Sequence, residues 1–234
     1  QRNLPIHTHL SENAWEVQQI LDTHGMRPAH WMNKLGVLDG SRPFLGAHGV
    51  WLDEEELEIY AANRGTVLHC PCANMKLSVG GPEGRSFRFA LAKKAGAPVA
   101  IGTDGPTSNN NLDMFEEMKV AALLAKHTTG EPTTLPAPEA LACGTQTFPA
   151  ALGWPGGEIA VGRGADLLLL RLDDLALTLS YDFASHLVYA VNGRSVDTTI
   201  VGGDVLMRGA QIEGLEEARA KVEELATTLG FRAM

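Results

Sequence analysis

Two histidines, His7 and His9, occupy alternate positions of the apolar stretch "PIHTHLSEN" at 5–13, and a carboxylate, Glu12, follows the second by three residues. Imidazole nitrogen and carboxylate oxygen are donors that a borderline divalent ion such as zinc accepts. The same pattern also describes a buried strand that ends in a polar turn, with Glu12 an ordinary acid in the first turn of a following helix. Three more chemistry-bearing residues close apolar runs downstream: His48 in "RPFLGAHGV" (42–50), His69 in "GTVLHCP" (65–71) and Asp104 in "APVAIGTD" (97–104). A lone strand-end histidine is more often a hydrogen-bonded structural group, and a "TDG" triplet is usually a turn. Four such run ends in order point instead to a shared site.

The elements needed to bring them together are legible in the pattern. The apolar runs at 3–9, 42–50, 65–71 and 97–104 read as strands, and stretches at 12–24, 28–36, 53–64 and 86–95 read as helices. The stretch "DEEELEIYAANRG" has Asp53 as N-cap, acids in the first turn and Gly65 as the stop. Strands that are apolar throughout belong in a parallel sheet covered by helices, and in parallel α/β barrels chemistry sits at the C-terminal strand ends. Two further helices are expected at about 111–126 and 138–146, after a Gly/Ser/Asn loop that follows Asp104.

From about residue 155 the texture changes to short strands between glycine turns, in "GEIAVGRGADLLLLRL", "SHLVYAVNGR" and "VDTTIVGGDVLMRGAQI", which reads as a small β domain. The tail 214–229 is an amphipathic helix with Leu215, Ala218, Val222, Leu225 and Leu229 on one stripe. The expected organisation is therefore 1–154 α/β, 155–213 β, and 214–234 a terminal helix.

Net charge −9 and pI near 5.3 argue against nucleic-acid or anionic-membrane partners, which call for a basic patch. No run reaches the ~18 apolar residues of a membrane span. Three cysteines make no disulfide framework, so a reducing cytoplasm is the expected compartment. The sequence opens on Gln1 in what already reads as strand, without a targeting pattern, as if cut from a longer chain.

The blocks "HTHLSE" (7–12), "AHGVWL" (47–52), "HCPCANMKL" (69–77), "GTDGPTSNNNLDMFEEM" (102–118) and "GEIAVGRGADLLLL" (157–170) resemble the amidohydrolase superfamily, and within it the S-adenosylhomocysteine and 5-methylthioadenosine deaminases. The resemblance spans nearly the whole chain and is most specific in the "GTDG" to "FEE" block. It implies a (β/α)8 TIM-type barrel with one divalent metal, usually zinc, a flanking β-sandwich built from both chain ends, and a homo-oligomer in the full-length form. It also implies roles: His9 as metal ligand on strand five, Glu12 as the acid meeting the purine ring, His48 as the strand-six histidine touching the activated water and the substrate, and Asp104 as the strand-eight ligand that also handles protons. The implied reaction is hydrolytic deamination of an adenosine-type nucleoside. A bound ion lowers the pKa of water to roughly 7, which makes hydroxide available at neutral pH. Deamination of guanine or another heterocycle, dechlorination of a triazine, and a non-catalytic scaffold are the rival readings.

The family takes two more metal ligands from a His-x-His pair on strand one, but "HTH" at 7–9 cannot be that pair. At ~30 residues per βα unit, strands one and eight lie roughly 200 residues apart, whereas Asp104 follows His9 by 95. The sequence is therefore expected to be the C-terminal half of the barrel, strands five to eight, plus the small β domain. Smaller signals stay open: His7 reads as structural or as a substrate contact, and His69 as pocket-lining substrate contact or core. Cys70 and Cys72 lack the paired spacing of a zinc site. The "SNNN" at 108–111 reads as a helix-capping loop that also borders the pocket. His24, His30, His127 and His186 are assigned no function.

Overall fold

The computed structural model describes residues 4–178 and 181–231; Asn3, which opens the first apolar run, and residues 232–234 of the terminal segment lie outside them. The chain runs β1 (Ile6–Leu10), α1 (Ala14–His24), α2 (Pro28–Lys34), β2 (Phe44–His48), α3 (Glu54–Ala62), β3 (Gly65–His69), α4 (Pro71–Lys76), α5 (Phe89–Ala95), β4 (Val99–Ile101) and α6 (Pro106–Asn109). It continues through α7 (Met114–Thr129), α8 (Ala137–Thr145), α9 (Thr147–Leu152), β5 (Leu167–Leu170), α10 (Phe183–Tyr189), β6 (Val196–Val201), β7 (Asp204–Arg208), β8 (Gln211–Ile212) and α11 (Leu215–Thr228). Contacts divide it into two units. The first runs to Arg163 and takes in Asp173–Gly193; the second comprises Gly164–Leu172 and the chain from Arg194 on.

In the first unit β1 to β4 form one parallel sheet in sequence order, so all four C-terminal ends lie on one side. The register places His7 opposite Leu45, His9 opposite Ala47, and Leu10 opposite His48. Period-two alternation then separates the faces. One carries His7, His9, Leu45, Ala47, Leu68 and Ala100, and the last four of these pack against Ala151 and Leu152 of α9. The other face contributes Phe44, Val67, Val99 and Ile101 to the main core with Leu57 and Tyr60 of α3, Phe89 and Ala92 of α5, and Met118, Ala121, Ala122 and Ala125 of α7. Each fully buried large apolar side chain contributes ~1.5–3 kcal/mol. β2, β3 and β4 are buried throughout, as an apolar parallel strand requires, whereas β1 alternates: its His7 and His9 are not among the residues that pack against Ala151 and Leu152, and they stay exposed.

Capping explains where the helices start. Asp53 accepts from the Glu56 amide at 2.9 Å and Glu56 accepts from the Asp53 amide at 3.1 Å, a reciprocal capping box. Gly65 is not the stop of this helix: α3 ends at Ala62 and Gly65 opens β3, where a Cβ would lie 2.7 Å from a ring carbon of Tyr60. The run "SHLVYAVNGR" is likewise not a strand. Asp182 caps Ser185 at 3.0 Å and starts α10, whose Ala184 and Val188 recur at helical spacing into the main core. Apolar content alone concealed the 3.6-residue period.

The second unit is a four-stranded antiparallel sheet, β5-β6-β7-β8, followed by α11. Leu168, Leu169, Val205, Leu206 and Ile212 of the sheet are exposed, as are Val222, Leu225 and Leu229 on the expected stripe of α11. No helix among the described residues is long and apolar enough to cross a membrane.

Candidate metal and catalytic site

Three of the strand ends converge. One donor atom each from His9, His48 and Asp104 lies within 4.8 Å of the other two, although the residues come from β1, β2 and the turn after β4. The His9 and His48 rings stack at 5.2 Å with an interplanar angle of 25°. His48 and Asp104 both hold left-handed backbone angles, φ 75° and 59°, which non-glycine residues seldom adopt. Each turn thereby redirects its side chain off the regular pleat, the sort of local strain found at functional sites.

Glu12 completes the group, with Oε1 3.9 Å from His48 Nε2. It does not belong to the helix that follows. Asn13 is the N-cap of α1 and accepts from the Glu16 amide at 2.9 Å, while Glu16 reaches back to accept from the amides of Ser11 and Glu12, both at 2.8 Å. Glu16 is thus the first-turn acid, and the Glu12 carboxylate remains available toward His48. His48 is 1% exposed, and its Nδ1 lies 2.8 Å from Asn74 Oδ1. Asp104 accepts from Ser108 Oγ at 2.5 Å.

His69 is not part of the three-donor group. It is 3% exposed, its ring centroid lies 5.0 Å from that of Phe87, and its Nδ1 has no partner. Burial, and secondly the neighbouring His48, push its pKa down to about 3, so it stays neutral at pH 7. His7 is exposed on β1, two residues before His9. Burial pushes the Cys70 and Cys72 thiols up to about 12, with nearby Asp104 and Glu117 adding to the shift at Cys70 and Glu117 at Cys72. Neither is a ready thiolate, the form that binds metal.

Sequence reasoning did not single out Asn74 or Glu117 for a role, and it placed Ser108 and Asn109 at the pocket only as part of the capping loop 108–111, without naming their bonds to Asp104 and Glu117. Asn74 lies within the "HCPCANMKL" block and Ser108 and Asn109 begin "SNNN", so the signal was an unusual density of amide side chains next to strand ends. Nothing in spacing ties Asn74 to a histidine 26 residues earlier.

Two imidazoles and two carboxylates, arranged so that one carboxylate and one imidazole sit beside a potential ion, can hold a divalent metal and move protons next to it. The amidohydrolase family profile matches residues 1–206. A 5'-deoxyadenosine deaminase of Methanoregula boonei is 42% identical over 233 residues, covering 100% of this chain and 51% of that protein. A 5-methylthioadenosine/S-adenosylhomocysteine deaminase of Halobacterium salinarum is 40% identical over 233 residues, covering 99% and 52%. A solved adenosine deaminase from Xanthomonas campestris with bound zinc superposes with a TM-score of 0.87 at 31% identity, over 96% of this chain and 51% of that one. The chain spans about half the length of the curated relatives it matches. With more than half of its residues matched by the family profile and its histidine and aspartate donors gathered at the strand ends, this chain belongs to the amidohydrolase family.

Proposed function

We propose that the chain is the C-terminal half of a metal-dependent deaminase barrel acting on adenosine-type nucleosides: 5'-deoxyadenosine, 5'-methylthioadenosine or S-adenosylhomocysteine. One observation carries the reading, the mutual approach within 4.8 Å of donors from His9, His48 and Asp104, beside Glu12. The parallel sheet β1 to β4 corresponds in this reading to strands five to eight, and the remaining strands, with a His-x-His pair, come from residues outside this sequence. The second unit contributes part of a β-sandwich. Three free cysteines fit a reducing compartment, and we take the protein to be cytoplasmic.

The donor chemistry fits zinc, with His9 and Asp104 as its ligands from this chain. When bound, the ion supplies Lewis acidity that brings the pKa of water down to roughly 7. The chain's own residues do the rest. Asp104 takes a proton from the attacking water, and Ser108 holds the carboxylate in place for it. Asn74 fixes the ring of His48, which orients that water. Glu12 protonates the purine nitrogen next to the attacked carbon, so that the carbon becomes tetrahedral without building charge on the ring. The proton held by Asp104 passes to the exocyclic amine; as ammonia leaves, Asp104 takes the remaining hydroxyl proton so that the carbonyl of the inosine product forms, and that proton passes to solvent as Glu12 is reprotonated for the next turnover.

The test is a substrate panel on the full-length zinc-loaded protein, read by the adenosine-to-inosine absorbance change and by ammonia release. The three adenosine derivatives are expected to exceed guanine and chlorotriazines by at least ~100-fold in kcat/KM, because a site built to bond one ring edge leaves buried polar groups unpaired when that edge changes. Preference for guanine or a triazine overturns the substrate assignment. Inertness toward the whole panel with zinc fully loaded favours a scaffold.

A further inference from the structure

A fully buried carboxylate lies behind the site, where the deamination chemistry does not use it. Glu117 is 0% exposed in the first turns of α7. Its Oε2 accepts from the Cys72 backbone amide at 3.2 Å, and its Oε1 accepts from Asn109 Nδ2 at 2.6 Å. The same Asn109 nitrogen donates its second hydrogen to the Thr103 carbonyl at 2.7 Å. Ser108, the residue before Asn109, holds Asp104. Three segments are thus tied at one carboxylate: the start of α4 beyond β3, the turn at the end of β4, and the loop that carries the hydroxyl bonded to Asp104.

Stability alone does not account for this choice of residue. Glu117 sits beside Met118 and Ala121 of the main core, where an apolar side chain of similar volume would avoid desolvation altogether. Burial raises the affinity of Glu117 for its proton even with the hydrogen bonds from Cys72 and Asn109 opposing it. The carboxylate is retained at a cost, and what it supplies is two acceptor oxygens aimed at two different segments. Glutamine cannot replace it without loss. With one acceptor oxygen it satisfies either the Cys72 amide or the Asn109 amide, and a flipped Asn109 abandons Thr103.

We infer that Glu117 is a positioning residue, which through Asn109 locks the 103–112 turn so that Ser108 presents the Asp104 carboxylate to the ion and the water. The inference rests on the proposed deaminase reading for its functional consequence, and on hydrogen bonds alone for the lock itself.

The experiment compares Glu117→Gln and Asn109→Ala with the unmodified full-length protein in three measurements: amide hydrogen exchange over 105–112, zinc affinity by chelator competition, and kcat with KM on 5'-deoxyadenosine. The lock predicts exchange at least about tenfold faster in that segment, zinc bound ~10–100-fold more weakly, and a fall in kcat larger than any rise in KM. Exchange over 105–112 and zinc affinity both within twofold of the unmodified protein overturn the inference. Should Glu117→Gln not fold, Asn109→Ala, at a part-exposed position on the loop, decides it alone. If the unmodified protein neither binds zinc nor releases ammonia, the deaminase reading fails, while the exchange measurement still decides whether Glu117 holds the loop.

Discussion

His48 Nδ1 lies 2.8 Å from Asn74 Oδ1, and both side chains are buried. An amide oxygen only accepts, so the hydrogen of the neutral ring is held on Nδ1 and the lone pair is left on Nε2, the nitrogen that faces Glu12. Asn74 thereby sets the tautomer of a histidine at the site. Asn74→Leu is expected to redistribute the tautomers, visible in the nitrogen chemical shifts of the His48 ring, and to lower turnover of the full-length protein ~10–100-fold. A ring that keeps its hydrogen on Nδ1 in the variant would show that other contacts determine the tautomer.

Glu12 separates proton transfer from metal binding. Glu12→Gln keeps the shape of the side chain and leaves the Asn13 and Glu16 capping arrangement untouched. Zinc content is expected to be unchanged while kcat falls by ~10²–10⁴. Metal analysis and steady-state rates on the same preparation check both halves, and near-normal turnover would remove Glu12 from the chemistry.

The convergence of His9, His48 and Asp104 was legible because a parallel sheet forces its strand ends to one side, and the strands were apolar enough to place. Strand and helix positions in the first unit followed from periodicity and caps, as at Asp53. What was not legible depends on contacts between segments far apart in sequence. Nothing local in "SHLVYAV" says that α10 will pack Val188 into the core, and its apolar content suits either period. The same holds for Glu117, which reads as one acid in a run of helix-start acids until the fold buries it against Asn109.

His69 gives stability a dependence on pH whose sign follows from its burial. Folded, its pKa is about 3; unfolded, it returns to about 6.5. Between these values the unfolded chain binds a proton that the folded chain refuses, so its contribution is whole above 6.5 and is lost as pH falls toward 3. The loss is at most about 1.4 kcal/mol per pH unit. His69→Leu is expected to flatten this part of the curve. Urea midpoints in the presence of a chelator, taken at about pH 7 and about pH 5, measure it, and parallel curves for the two proteins would assign the acid sensitivity to other groups.

The α3 helix approaches β2 so closely that a Cβ on Gly46 would lie 1.9 Å from Tyr60 Oη. That hydroxyl is buried and without a partner. Gly46→Ala should therefore destabilise by ~3 kcal/mol or more, whereas Tyr60→Phe, which removes an unsatisfied oxygen, should cost little or stabilise. In the double variant the shorter ring returns part of the loss, since the residues are in contact and their effects do not add. Additive denaturation energies across the four proteins would place the strain elsewhere.

The donors differ in how firmly they are held, and this orders their response to zinc. His48 is buried against Asn74 and Asp104 is bonded to Ser108, whereas His9 is exposed on the edge strand β1 and touches the group through ring stacking with His48. Two ligands at ~2.0–2.2 Å from one ion lie at most ~4.4 Å apart, and the donors of His9 and Asp104 already lie within 4.8 Å of each other. Of the two, His9 is the one free to adjust. Zinc titration followed by ring nitrogen chemical shifts is expected to move His9 most, and His9→Ala to weaken zinc binding at least ~10-fold while leaving the His48 tautomer as it was. Asp104→Ala should weaken zinc as much and also release the Ser108 hydroxyl, giving faster exchange in the loop that follows. If His9→Ala binds zinc as tightly as the unmodified protein, the ion is held by a different set of donors.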